Sequence, residues 1–455
     1  MKKFLKHHKF SILLLLAIAA FYISFGYGLE RSDFIKLITL YGSLFFLSFK
    51  LIKLEKRNFR FLMGAAIIVR LLFLFTLPNL SQDFYRFIWD GRLVTEGLNP
   101  FLYLPEELPA NLKIIGDHAE LLNGMGTLSA GNYSNYPPIN QLLFGIATFF
   151  SGKSILGAVV VMRLIIISAD IGVLYFGRKL LLALNLPEHQ IFWFILNPFV
   201  IIELTGNLHF EGVMLFFLIW SLYLLSRKKW IWSAILLGLS ISVKLLPLLI
   251  LPLFLKFFRK KETEEEQVAE KIHFKKLVAY YSISLLVVVL TFLPFISEEF
   301  LRNFSQSISL WFGKFEFNAS IFYIIRWIGF RLTGFNVIVY AGKILPLLSL
   351  LLLVLLAVKI PNRDFRGFLT SCLLGISAYF FLSTTVHPWY LATPLLLSVF
   401  TTYRYMILWT LVVILSYAAY ANPGFQENLG LLAIEYISVF AVLGYELKKR
   451  KFVNV

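Results

Sequence analysis

Residues 81–91 read SQDFYRFIWDG, and this stretch places two carboxylates, an arginine, a tyrosine and a tryptophan within nine positions. Read as a helix, it sets Asp83, Arg86, Phe87 and Asp90 on one face, at i, i+3, i+4 and i+7, with Tyr85 and Trp89 on another. Ser81 can cap the helix start, and acidic Asp83 suits the first turn, where the helix dipole favours negative charge. Two chemistries fit. The bland one is a capped helix on a membrane surface with an internal ion pair and aromatic anchors. The other is an acid/base centre, since a carboxylate partly removed from water is a competent proton acceptor.

Further ionisable residues lie within or beside apolar runs. TGNLHFEG (205–212) brings His209 and Glu211 to a turn, just after Glu203, and LSISVKLLP carries Lys244. Arg163 and Asp170 lie seven apart in VMRLIIISADIG and are expected to pair. HPWY (387–390) offers His387, Trp389 and Tyr390 at another turn, while Arg326 and Arg331 follow a polar segment. Ionisable groups at membrane depth are expensive and usually pair or line a functional cavity. Any one of these could be structural; together they look like a site.

The elements that must position these residues are membrane helices. The chain of 455 residues is 58% hydrophobic and 15% charged, with a mean hydropathy of +0.76, whereas soluble domains are about a quarter charged. Several nearly uncharged runs are long enough to cross about 30 Å of hydrocarbon. The fold class is therefore all-α, a polytopic integral membrane protein with about 11–13 crossings, and one transmembrane domain spans 1–455. The net charge of +17 sits in short clusters between apolar runs, which is the pattern of cytoplasmic loops rather than of a nucleic-acid-binding surface. The single cysteine, Cys372, allows no internal disulfide and no cysteine metal site, and reads as apolar packing. MKKFLKHHKF followed by SILLLLAIAAFYISF has the look of a signal peptide but lacks a good cleavage site, so a retained first helix is expected.

Charge orients the spans. Residues 256–276 hold seven basic and five acidic residues and are expected in the cytoplasm, as are KLEKRNFR (53–60), SRKKW (226–230), KIPNRDFR (359–366) and ELKKRKF near the C-terminus. Residues 79–136 hold three basic residues against seven acidic ones, which places them outside. Residues 297–320 form a second outer loop. The first is too long for a passive connection and should contain juxtamembrane helices. Residues 138–177 and 231–255, the latter with Lys244, Pro247 and Pro252, do not fit simple crossing parity; broken helices lining a cavity would explain them.

At these residues the chain resembles the polytopic glycosyltransferases of the GT-C fold, and within them the bacterial polyprenol-phosphate-mannose-dependent alpha-1,6-mannosyltransferases. The resembling elements are DFYRFIWDGRLVTEGLNPF, YPPINQLLF, GNLHFEGVM, SVKLLPLLILPL and HPWYLATP, in that order between residues 81 and 394. A related pattern often has Asp where Glu211 stands. The resemblance implies transfer of one sugar, mannose by this analogy, from a polyprenyl-phosphate donor at the outer face to a glycan or glycolipid acceptor, usually with inversion. The retained first helix and the absence of structural cysteines suit a bacterial inner membrane, with the lipid bilayer as a partner and no nucleic acid. Asp83 is then the expected base. Lys244, Arg163 and Arg326 are candidates for the lipid phosphate. Arg86, His209, Glu211, His387 and Tyr390 are candidates for positioning substrate, and Trp89, Tyr136 and Trp389 for stacking on sugar. Asp90 is expected to orient the helix through Arg86 or Arg92. A magnesium or manganese ion could bridge Asp83, Glu211 and a phosphate, but a single phosphate in a cationic cavity does not need one. The rival functions are a lipid or polysaccharide flippase or transporter, with charges strung through both halves of the bilayer, and a lipid-linked glycan ligase or polymerase.

Overall fold

A computed structural model of the chain describes residues 8–108, 116–258, 273–359, 364–422 and 424–451. Most of the basic 256–276 segment, and Lys113 of the first acidic loop, lie outside the described residues. Among the described residues, seventeen α-helices of eight or more residues follow in chain order: α1 (Lys9–Gly28), α2 (Phe34–Leu54), α3 (Phe59–Leu71), α4 (Asp83–Thr95), α5 (His118–Ala130), α6 (Pro138–Ser151), α7 (Ile155–Ala183), α8 (Glu211–Ser226), α9 (Trp230–Val243), α10 (Phe274–Phe292), α11 (Glu298–Gly313), α12 (Ile321–Thr333), α13 (Ile338–Lys359), α14 (Phe365–Leu382), α15 (Ala392–Val399), α16 (Tyr405–Val412) and α17 (Leu429–Lys451). No strand occurs among the described residues; an isolated bridge joins Phe317 to Thr385.

Several of the helices begin where the sequence supplies caps. Asp33, Asn58, Ser154, Ser297 and Asp364 each accept a hydrogen bond from a backbone N–H in the first turn of the helix that follows. Pro138 opens α6 at a position whose N–H would have had no helical partner. Seven described helices are long and apolar enough to cross a membrane, or eight if a bent pair, Pro198–Gly206 with Glu211–Ser226, counts as one span. This is an integral membrane protein, with fewer continuous spans than the expected 11–13. The difference has a physical source. The expected crossings at 61–78, 190–205, 389–403 and 405–420 are interrupted: α3 ends in turns, residues 188–206 break into short 3-10, α and π turns, and α15 and α16 are flanked by 3-10 segments. Such irregular backbone is tolerated at depth where protein rather than lipid surrounds it, and residues 191–215 are all buried except Trp193.

The two stretches that resisted parity counting resolve differently. In 138–177, α6 is a short packed helix and α7 a full span. In 231–255, α9 stops at Lys244, whose backbone is extended, and a 3-10 segment, Leu246–Leu253, follows.

The expected juxtamembrane elements are α4, a 3-10 turn at Pro105–Glu107, and α5. Helix α4 lies against α6, and α8 against both α7 and α9. The α4–α6 contact is close because Gly91 has no side chain; a Cβ there would come 2.4 Å from the Phe144 carbonyl oxygen. Gly91→Ala is therefore expected to lower the thermal stability of the solubilised protein by about 1–3 kcal/mol, the range for overpacking a tight contact. An unchanged melting curve would show that α4 and α6 can part without cost.

Candidate functional site

Asp83 is the first residue of α4, half-buried, at the end of the helix where the dipole favours its charge. The segment before it is tied down on two sides. The Asn79 side chain donates to the carbonyls of Phe25 (2.7 Å) and Leu29 (3.2 Å), and the Leu80 N–H donates to Asn207 Oδ1 (3.1 Å). The N-cap is Gln82, without a side-chain cap bond, rather than the expected Ser81, because the helix starts one residue later; the Ser81 hydroxyl still accepts from the Asp83 N–H at 3.3 Å. One turn further on, Arg86 Nε donates to Asp90 Oδ1 at 2.7 Å, and Asp90 Oδ2 accepts from Ser134 (2.6 Å) and Gln141 (3.1 Å). Arg86 also donates to the carbonyls of Ser129 and Asn132, which fixes the chain leading to Tyr136. The Tyr136 hydroxyl lies near enough to Asp83 to favour its ionised form.

The facing wall comes from the broken helix. A π turn at Ile201–Gly206 is followed, after Asn207, by a left-handed Leu208 (φ 61°), and this reversal turns His209 back onto the Glu203 carbonyl, 2.8 Å from Nδ1. Tyr417 donates to Glu203 Oε1 at 2.9 Å. Trp389 is sandwiched between two imidazoles, with ring centres 3.8 Å from His209 and 4.5 Å from His387. Lys244, at the break after α9, pairs with buried Glu211 and stands 5.9 Å from the Tyr390 ring centre. Burial pushes the Asp83 carboxyl above its usual range; Lys244, Arg31 and the Tyr136 hydroxyl oppose this only in part. Burial, with Lys244 and Arg31 nearby, pushes His387 down to about 3, so it is neutral at physiological pH.

Thus Asp83, Tyr136, His209, Glu211, Lys244, His387, Trp389 and Tyr390 fall in one neighbourhood. Four candidates do not serve as expected. Arg163 is fully buried and donates to the carbonyls of Leu74, Thr76, Thr205 and Gly206, so its guanidinium is spent on the backbone rather than offered to a phosphate. Nor does it pair with Asp170, which binds Arg70 at 2.7 Å and accepts from Thr205. Arg86 is buried and holds Asp90 and two carbonyls, which makes it a support of α4. Trp89 is fully buried against His118 at 5.1 Å, closed off from any sugar. Arg326 pairs with Glu316 and lies over Tyr323, in a separate polar cluster with Asn336 and Glu427.

Two contributors escaped the sequence reading. Tyr417 is one, in an apolar run with no distinguishing pattern. Arg31 is the other, in the turn GLERSDF between α1 and α2. A signal existed for it: an arginine on the side of the membrane where basic residues are scarce runs against the positive-inside pattern. Among the described residues, no group of three or more His, Cys, Asp or Glu side chains is placed to hold a metal ion, and Glu211 is engaged by Lys244.

Residues 35–258 match the family model described as "Alpha-(1->6)-mannopyranosyltransferase, N-terminal domain". The chain is 24% identical over 338 residues to alpha-(1->6)-mannopyranosyltransferase A of Mycobacterium tuberculosis, an alignment covering 71% of this chain and 61% of that protein. It is 26% identical over 153 residues to alpha-(1->6)-mannopyranosyltransferase B of Corynebacterium glutamicum, covering 33% of this chain and 24% of that one. The matched lengths are thus under two thirds of either relative. These similarities support the resemblance to GT-C mannosyltransferases. The family match includes Asp83, Tyr136, His209, Glu211 and Lys244.

Proposed function

With residues 35–258 matched to the N-terminal domain of alpha-(1->6)-mannopyranosyltransferases, we propose that this membrane protein transfers a single mannosyl group from a polyprenyl-phosphate donor to a hydroxyl of a glycan or glycolipid acceptor. The transfer takes place at the extracytoplasmic face of a bacterial inner membrane and inverts the configuration at the sugar's C1. The observation that carries this reading is the half-buried carboxylate of Asp83, held at a helix N-terminus opposite the Lys244–Glu211 pair and the His209–Trp389–His387 stack.

The chemistry follows from these groups. The acceptor oxygen attacks C1 as its proton passes to Asp83, a bond forms between that oxygen and C1, and the bond from C1 to the phosphate oxygen breaks with its electron pair leaving on the phosphate. One displacement inverts C1. Cationic side chains stabilise the departing charge, an effect that a partly dry site strengthens. Neutral His387 and His209 add no charge; they cover both faces of Trp389, so the stacking role expected of that ring is closed to it, and the indole edge and the half-buried Tyr390 ring beside it are left to meet a sugar.

Because Asp83 must be ionised to accept the proton, and burial raises its pKa, the acid limb of kcat/KM is expected above the ordinary aspartate value of about 3.9. Activity is lost as pH falls through that raised value and recovers above it. A pH–rate profile whose acid limb lies at or below the ordinary value would remove Asp83 as the base. The donor is tested with purified protein and labelled sugar. Label from polyprenyl-phosphate mannose is expected in the product, and label from a nucleotide-linked mannose is not. The reverse result would sink the lipid-donor reading.

A further inference from the structure

We infer that Arg31, in the turn between α1 and α2, is the residue that binds the phosphate of the lipid donor. This rests on the lipid-phosphate reading above and replaces the assignment of that role to Arg163 and Arg326.

The cations around the site are mostly spent. Lys244 is paired with Glu211, Arg86 with Asp90, Arg70 with Asp170 and Arg326 with Glu316, while Arg163 binds four backbone carbonyls. Arg31 differs. Among the described residues no carboxylate lies within ion-pair distance of it, which sets it apart from Arg70 and Arg86, and like them it has a buried N–H, its Nε, without a hydrogen-bond partner. An arginine that has shed water from a donor without replacing that hydrogen bond is poised for an anion, because the unmet donor costs free energy until one arrives.

Its placement is built. The guanidinium lies 3.2 Å from the centre of the Tyr420 ring. Stacking on an aromatic face leaves the in-plane N–H fork free for bidentate contact with phosphate oxygens. The turn is closed by Lys36 Nζ on the Gly28 carbonyl at 2.5 Å and pinned by Asn79 on the carbonyls of Phe25 and Leu29, four residues before Asp83. On the other side, Tyr420 packs 5.7 Å from Tyr417, the residue that donates to Glu203 beside His209. Arg31 thus enters the same neighbourhood as the proposed base from the α1–α2 turn, where the other cation, Lys36, is engaged by the Gly28 carbonyl. Its positive charge is felt at both Asp83 and His387.

The test is lipid binding to the full-length purified protein, using a short-chain polyprenyl phosphate and the polyprenol of the same length. Arg31→Ala and Arg31→Gln are expected to weaken the phosphate ligand by about 10- to 100-fold, the worth of losing hydrogen bonds to a charged group, while polyprenol binding is unchanged. Arg31→Lys should fall between them and wild type, since an ammonium keeps the charge but not the fork. Unchanged polyprenol binding identifies a folded protein, so a structural role would move both ligands together and overturn the assignment. Wild-type affinity for the phosphate in Arg31→Ala, with the loss appearing instead in Lys244→Met, would overturn it too and leave the lipid donor standing. Wild-type protein that binds no polyprenyl phosphate would instead defeat the donor reading itself.

Discussion

Asp83→Asn is expected to give a folded, membrane-inserted protein whose sugar transfer falls by about 10²–10⁴-fold, the range for removing a general base. The substitution keeps the side chain's size and its place in the first turn of α4, and the ties that hold the turn do not use the carboxylate. Asn79, Leu80 and Ser81 carry those ties through other atoms. What is lost is proton affinity: the amide cannot take the acceptor's proton at any useful pH. The effect should lie in kcat more than in donor KM, because the cationic groups remain. Steady-state transfer with the melting temperature alongside measures it. Nearly intact activity would remove Asp83 from the mechanism, and an unfolded variant would show that the carboxylate is structural.

The second large effect concerns Arg163. Arg163→Leu is expected to abolish recovery of folded protein. The guanidinium satisfies four carbonyls, two from the turns after α3 and two from the π turn that begins the site wall. Removing it leaves these acceptors buried and unmet at about 1–3 kcal/mol each, a sum comparable with the stability of a whole domain. Arg163→Lys keeps one charge but cannot span the set, and should be recovered in reduced amount. Size-exclusion profiles of the solubilised variants decide the matter. Were Arg163 a phosphate ligand, Arg163→Leu would elute as wild type and show only a raised donor KM.

The sequence made α4 legible, because everything that defines it is local. The face shared by Asp83, Arg86 and Asp90, the serine before it and the acidic first turn all lie within ten residues, and the Arg86–Asp90 pair formed as spacing allows. The break at Lys244 was legible for the same reason, from its prolines and its charge. What escaped was set by packing between distant segments. Arg163 and Asp170 share a helical face, but seven residues are about 10.5 Å along the axis, and the nearer partners, Arg70 and the π-turn carbonyls, come from other helices. Trp89 looked like a membrane-edge aromatic and instead packs under α5, whose position no pattern in α4 encodes. Arg326 follows the second polar loop, yet that loop pairs with residues 384–386 and carries its own acidic partner for it, Glu316. Arg31 was hidden by brevity: a turn of a few residues gives no periodicity, and its role depends on Tyr420 at the far end of the chain.

The broken helices bear on function in the same way. A continuous span presents side chains to lipid or to neighbours but keeps its backbone closed. The interruptions at 201–210 and after Val243 instead turn His209, Glu211 and Lys244 toward one space at the end of the bundle. The chain accepts irregular backbone there because buried side chains, Arg163 above all, satisfy the carbonyls that the breaks release.

The most direct measurement is the position of a bound polyprenyl-phosphate sugar in a cryo-electron microscopy structure of the Asp83→Asn variant, which should hold the donor without consuming it. The account predicts the sugar between residue 83 and Trp389, with its phosphate at the Arg31 guanidinium. Density for the donor in the Arg326–Glu316 cluster, or on another face of the bundle, would contradict it.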